Sequence, residues 1–286
     1  MSDQAIQTRS HVRTEAAPEL RINKPVRSRV LLSEMWTTLR VAKMIAIRDI
    51  KSKYKQAALG PLWLLIAPLG MLFAITIAFS GVTDVQTGDI PYLPFALVGL
   101  TVWTFIQLSA TLGSQAIVTN SSLVRRSPMP RIALITGSLL GNLPPVIVMF
   151  SLMLLATAFT RGFALQILLL PLLILWLFVF AVGLAMLLGA LTVRFRDTAS
   201  ALPLIISAGI FVSPVGYPLA GAPSNIHALL TINPVSGLIE AWRWAILDMP
   251  DPQWLVIGVA AAWTVLIVGF GWRVFARMEV KFADFV

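Results

Sequence analysis

The sequence predicts an all-α polytopic membrane protein, with an N-terminal amphipathic interface helix, six transmembrane helices and a re-entrant hairpin between the fifth and sixth. Three observations predict it. Charged residues make up 12% of the 286 residues and hydrophobic ones 57%, where a soluble domain carries about a quarter charged; the mean hydropathy is +0.83. Long windows carry no Asp, Glu, Lys or Arg: 56–83, 90–124, 132–160, 162–193, 198–239 and 252–272. Crossing a bilayer by helix takes about 20 apolar residues. The net charge of +9 is also unevenly placed, with twelve of the 22 Lys/Arg ahead of the first window. That places the basic character beside an anionic membrane leaflet and argues against nucleic acid as a partner.

Residues 1–30 read as a disordered basic cytoplasmic tail, with no apolar run near the start of the kind a cleaved signal peptide needs. Residues 31–55 follow as an amphipathic helix. Leu32, Met35, Trp36, Leu39, Ala42, Ala46, Ile50 and Tyr54 recur every three or four positions and form one stripe, with Ser33 as N-cap. Arg48, Asp49, Lys51, Lys53, Tyr54 and Lys55 close this helix at the membrane boundary, where its cations meet lipid headgroups. Gly60-Pro61 then turns the chain into the lipid.

The expected spans are about 58–81, 92–119, 132–159, 164–193, 198–216 and 253–275. With the N-terminus inside, twenty cationic residues fall on cytoplasmic pieces. The outer loops keep Arg161 and Arg243 against five acids, Asp84, Asp89, Glu240, Asp248 and Asp251. That is a positive-inside distribution with both termini cytoplasmic. Arg161-Gly162 is the sole polar break between the third and fourth spans, which predicts a tight antiparallel pair. Pro68, Pro144-Pro145, Pro171 and Pro203 lie within spans as kinks or local breaks. Gly137 and Gly141 fit a close helix-packing motif.

Two loops stand out. The inner loop 120–131 offers Asn120 or Ser121 as a cap. Leu123 and Val124 form an apolar knob, and Arg125, Arg126, Ser127 and Pro128 follow. A short basic helix of this kind seats in a groove on a cytoplasmic partner. The segment 218–249 is apolar but broken by prolines into pieces of about 224–231 and 234–247, too short to cross. It is either an amphipathic surface helix or, as its apolar content favours, a re-entrant hairpin at an exit. Asn233-Pro234 supplies an N-cap and a proline at the first helical position. Glu240 and Arg243 can pair three residues apart, and Trp242 and Trp244 suit headgroup level.

No catalytic constellation is evident. Cys is absent and only His11 and His227 occur, so no thiol chemistry or His–Cys metal site is expected. No ionisable residue sits inside a span, where an ion-coupled carrier or a membrane enzyme would need one. No phosphate-cradling Gly-Lys-Ser/Thr loop appears, so any ATPase must be another chain.

The series RDIKSKYKQAALGPLWLLIAP, NSSLVRRSPMPR, RFRD, SPVGYP, NPVSGLIEAWR and FARMEVKFADFV, in that order over residues 30–286, resembles the type-2 ABC transporter permeases that export polysaccharides. O-antigen, capsule and teichoic-acid exporters belong to that family. The resemblance implies a homodimer in the cytoplasmic (inner) membrane, paired with two copies of a nucleotide-binding subunit that carries the ATP and Mg; this chain would hold no cofactor. It also implies a lipid-linked glycan or polyol-phosphate cargo. Leu123–Pro128 would be the coupling helix. Ser213, Pro214, Tyr217, Asn233, Pro234, Glu240 and Arg243 would belong to an outer gate. Trp63, Trp103 and Trp176 are candidate channel aromatics. A small-molecule efflux permease of the same superfamily and a membrane enzyme acting on lipid-linked sugars are the competing readings.

Overall fold

A computed structural model describes residues 32–55, 59–80, 89–127, 129–160, 162–195, 197–222, 224–249, 252–279 and 282. The expected tail 1–30 and Pro128 lie outside the described residues, as do Asp84, Arg161 and Asp251. Among the described residues all regular structure is helical, as the fold class predicts.

Helix α1, Leu32–Lys55, is nearly as long as expected. Ser33 falls inside its first turn. The helix lies along α6, Ile132–Gly141, because both faces are shaved down to small residues. A Cβ at Gly137 would stand 2.9 Å from Ile45 Cβ and 3.0 Å from the Ala42 carbonyl oxygen, and one at Gly141 3.2 Å from Asp49 Cβ. The glycine pair is thus a close-packing site. Ala42, Ile45 and Ala46 are buried there, while Met35, Trp36 and Leu39 remain exposed. Only the second half of the predicted stripe is covered.

Gly60, at φ +49, makes the turn before α2, Trp63–Ser80; a side chain there would strain the backbone. Helix α3, Tyr92–Leu108, passes through a π-turn at Ser109–Gly113 into α4, Ser114–Thr119. This 28-residue run is 72% buried over its apolar window, against 17–28% for the other long apolar helices, and is the axis of the molecule. The short α5, Ser121–Arg126, and α6 follow. The expected third span is broken at Asn142, after which α7 runs Leu143–Thr160. Pro144 and Pro145 occupy its first turn, where a missing N–H removes no helical bond.

Helix α8, Leu170–Arg194, carries Pro171 in its first turn. It packs on α12, Trp254–Glu279, so closely that a Cβ at Gly271 would come 2.6 Å from the Gly183 carbonyl oxygen. Trp176 Nε1 donates to Thr264 Oγ1 across the same seam at 2.8 Å.

Among the described residues four helical runs are long and apolar enough to cross a membrane by themselves; α2 and α9, Thr198–Gly209, are shorter. Two expectations are not met. Helix α9 reaches only ~18 Å at the α-helical rise, and the chain beyond it proceeds in turns to Tyr217. The helix stops at Gly209, short of the expected 216, where the Trp103 ring packs so closely that a Cβ would be 2.9 Å from Cη2. Nor do α7 and α8 form a tight pair. Helix α7 packs on α3 and α2, and α8 on α12 and α4. Between α7 and α8 lies an apolar cavity of about 500 Å³, lined among others by Val146, Phe150, Ile174 and Phe178.

Helices α10, Ser224–Ile232, and α11, Pro234–Leu247, match the two short pieces read from the sequence. Helix α11 is buried from Val235 to Leu247 apart from Trp244, packed on α12, α3 and α8. It is not a surface helix.

Candidate functional site

The residues named from the sequence collect in two places, at opposite ends of α3 and its continuation. The first surrounds α5. Asn120 precedes this helix, yet its side chain forms no N-cap. Its Nδ2 donates back to the Ala116 carbonyl at 2.8 Å, and its Oδ1 accepts from Arg48 Nη2 of α1 at 2.7 Å. Val124 is 1% exposed, which corrects the expected knob: Leu123 is half-buried and the exposed side chains are those of Ser122, Arg125 and Arg126. The valine, one turn on from Asn120, packs into the core, and the outward face of this short helix is polar and basic. Arg131 Nη1 donates to the Ser127 carbonyl at 2.8 Å, and its backbone N–H to Glu279 Oε1 at 3.3 Å. Burial pushes the Arg131 guanidinium down from its ordinary value, with Glu279 opposing. Nearby Phe282 is fully buried and meets Phe275 edge-on at 5.2 Å, so the end of α12 braces this loop.

On α1, Asp49 Oδ1 accepts from Arg48 Nη2 at 2.8 Å and Nε at 3.0 Å. Lys53 donates to Asn142 Oδ1. Partial burial pushes the Lys53 ammonium down, with Asp49 opposing, and pushes the Tyr54 phenol up. Lys51 and Lys55 are exposed. All four cations are exposed, but Arg48 and Lys53 each reach an asparagine, a pairing the sequence alone did not reveal.

The second place is the turn 213–217. Arg243 is fully buried. Its Nη2 donates to the Val215 carbonyl at 2.8 Å and its Nη1 to that of Tyr217 at 3.3 Å. Its Nη1 lies 3.7 Å from Glu240 Oε1, and its guanidinium stacks 3.5 Å over the Phe95 ring. Tyr92 donates to the Gly216 carbonyl at 3.2 Å. Asn233 caps α11 as predicted, its Oδ1 accepting from Val235 N–H at 3.0 Å. Its Nδ2 holds the Val212 carbonyl and Ser213 Oγ at 3.1 and 3.0 Å. Pro214 is buried, and Pro234 occupies the first turn of α11. Gly99 makes the approach possible, because a Cβ there would be 2.4 Å from the Val215 carbonyl oxygen. The Glu240–Arg243 pair was legible from spacing; Tyr92, Phe95 and Gly99, far away in sequence, were not.

Trp242 is 2% exposed and packs edge-on to Phe150, so it is a core residue and not a headgroup anchor: it lies on the side of α11 that faces the bundle. Trp244, half-buried, meets Trp254 at 5.2 Å. Trp63 is 50% exposed and Trp103 4%, while Trp176 is tied to Thr264 as described. The three candidate channel aromatics share no common surface feature.

The family model for the ABC-2 type transporter matches residues 40–247, most of the chain. The chain belongs to the ABC-2 type transporter family. The permease is also 27% identical over 243 residues to the O-antigen export system permease protein RfbA of Myxococcus xanthus, covering 83% of this chain and 92% of that protein. It is 23% identical to the protein of the same name from Klebsiella pneumoniae, covering 84% and 93%. With the polysialic acid transport protein KpsM of Escherichia coli it shares 23%, covering 82% and 91%. A member of this family is a transport subunit, and its ATP hydrolysis belongs to a separate partner.

Proposed function

We propose that the permease forms the membrane pathway of an ATP-driven exporter that carries a lipid-linked polysaccharide outward across the cytoplasmic membrane. The observation that carries this reading is similarity along more than four-fifths of the chain to permeases named for O-antigen export and polysialic acid transport. The physical need is plain: a sugar polymer cannot cross hydrocarbon unaided, since its hydroxyls would be stripped of hydrogen bonds.

In this reading two copies of the permease join two nucleotide-binding subunits, which supply ATP and Mg. Both termini are cytoplasmic, α2 and the α9 segment complete a set of six crossings, and α1 lies on the inner surface. Helix α5 couples to the ATPase through Arg125 and Arg126. The turn 213–217 with α10 and α11 closes the outer end, and Lys51 and Lys55 meet the anionic headgroups.

Co-expression with its nucleotide-binding subunit tests the assignment. The complex is expected to co-purify and hydrolyse ATP. Arg125→Glu with Arg126→Glu is expected to abolish co-purification or ATP-dependent export. Wild-type hydrolysis and export in that variant would refute the coupling assignment.

A further inference from the structure

Asn120 and Asn142 are built alike. Each sits at a break between two helices, α4/α5 and α6/α7, with nearly the same backbone (φ −103, ψ 31 and φ −101, ψ 6). Each is buried, at 6% and 5% exposure. Each side-chain amide donates to the carbonyl four residues back at 2.8 Å, to Ala116 and Ser138 respectively. Each leaves its Oδ1 to a cation of α1, Arg48 for Asn120 and Lys53 for Asn142. A break in a helix is where a bundle bends, and an amide capping the preceding turn satisfies the groups the break exposes. The second acceptor bond to α1 is not required for that capping. Asp49, held against Gly141 at the close α1–α6 contact, fixes the Arg48 fork by two bonds.

We propose that Arg48 and Lys53 are positioning residues that tie α1 to two asparagine hinges. A displacement of α5 is then carried into α1 and α6 and is not absorbed at Asn120. This rests on α5 being the element that meets the ATPase. It also separates the basic cluster by role: Arg48 and Lys53 act through asparagines, whereas headgroup attraction falls to Lys51 and Lys55. A cation that serves headgroups needs only its charge, but one that serves a hinge needs the acceptor it bonds.

A double-mutant cycle distinguishes these. The chain has no cysteine, so Ala220→Cys, beyond the 213–217 turn, gives a single reporter in the complex with the nucleotide-binding subunit. The measurement is the change in its maleimide labelling rate on adding ATP, with ATP hydrolysis followed in parallel. Arg48→Ala and Asn120→Ala are each expected to reduce the ATP-dependent change about five-fold, a size typical of directly coupled side chains. The double variant should be no worse than either. Asn120→Asp, which keeps an acceptor for Arg48, should retain the response. If the alanine variants do not assemble, Arg48→Met with Asn120→Leu, closer in size to the originals and without the donor–acceptor pair, supplies the same cycle.

A wild-type response in Asn120→Ala, effects that multiply in the double variant, or Asn120→Asp as deficient as Asn120→Ala would each overturn the tie. An unmodified complex with no ATP response would overturn the coupling reading itself. That failure is distinguishable because it shows before any hinge residue is changed.

Discussion

At the scale of single residues, the buried Arg243 is the most demanding side chain in the molecule. Its charge is taken out of water and answered by two carbonyls, a carboxylate and an aromatic face. Removing one partner of a buried pair leaves the other charge uncompensated, which typically costs about 3–5 kcal/mol. Arg243→Ala is therefore expected to lower the temperature at which the detergent-solubilised protein stays folded. Adding Glu240→Gln should recover part of that loss, since the orphaned carboxylate is then neutral. Gly99→Ala is expected to act on the same turn from the other side: its methyl would collide with the Val215 backbone, and fluorescence or protease protection near residues 213–217 should report the displacement. From the sequence, Glu240 and Arg243 are visible as a pair because they are one helical turn apart. The carbonyls that Arg243 bonds lie in the 213–217 turn and the ring beneath it on α3, more than a hundred residues away, and nothing local in YLPFALVG marks Phe95 and Gly99 as a platform for an arginine.

Among elements, the interface helix shows most clearly what periodicity can and cannot tell. The 31–55 stripe correctly gives a helix, but it spreads over surfaces with different neighbours. Of the stripe's described side chains Ala42 and Ala46 are buried, with Ile45 beside them, because Gly137 and Gly141 on α6 admit them. Overpacking a tight contact typically costs about 1–3 kcal/mol. Gly137→Leu is thus expected to release α1, seen as faster hydrogen exchange over residues 41–55 while the α8–α12 seam stays protected. Unaltered exchange in that variant would mean that α1 is held by its polar ties alone. The two pieces of the hairpin were legible to within a residue, because Pro223, Asn233-Pro234 and Pro250 bound them chemically. The fifth span was overextended because 210–216 is apolar and its sequence conceals a turn set by Trp103 and Arg243. The expected α7–α8 pair failed for a similar reason: short connection length says that helices are neighbours in sequence and says nothing about which glycines and alanines their faces meet.

On the scale of the whole molecule, the central run α3–α4 is buried where the other long apolar helices are largely open. Its two ends carry the two sites, the asparagine hinge beside α5 and the arginine-pinned turn above α11. That layout places one helical run between the loop proposed to meet the ATPase and the turn proposed to close the outer end. The π-turn at Ser109–Gly113 interrupts the run midway, at a position where helices commonly yield. Fold class and family were readable because composition and motif order are global properties; the tertiary partners were not, since they depend on contacts no local window contains. The central claim is that this permease moves a finished lipid-linked polysaccharide. The direct measurement is the distribution of that polymer between the cell surface and the cytoplasm in its host after this chain is deleted. Surface polymer should be lost while lipid-linked polymer accumulates inside, and the intact chain should restore export. Undiminished surface polymer would contradict it, and so would the absence of any polymer at all, which would mark the chain as part of synthesis and not of export.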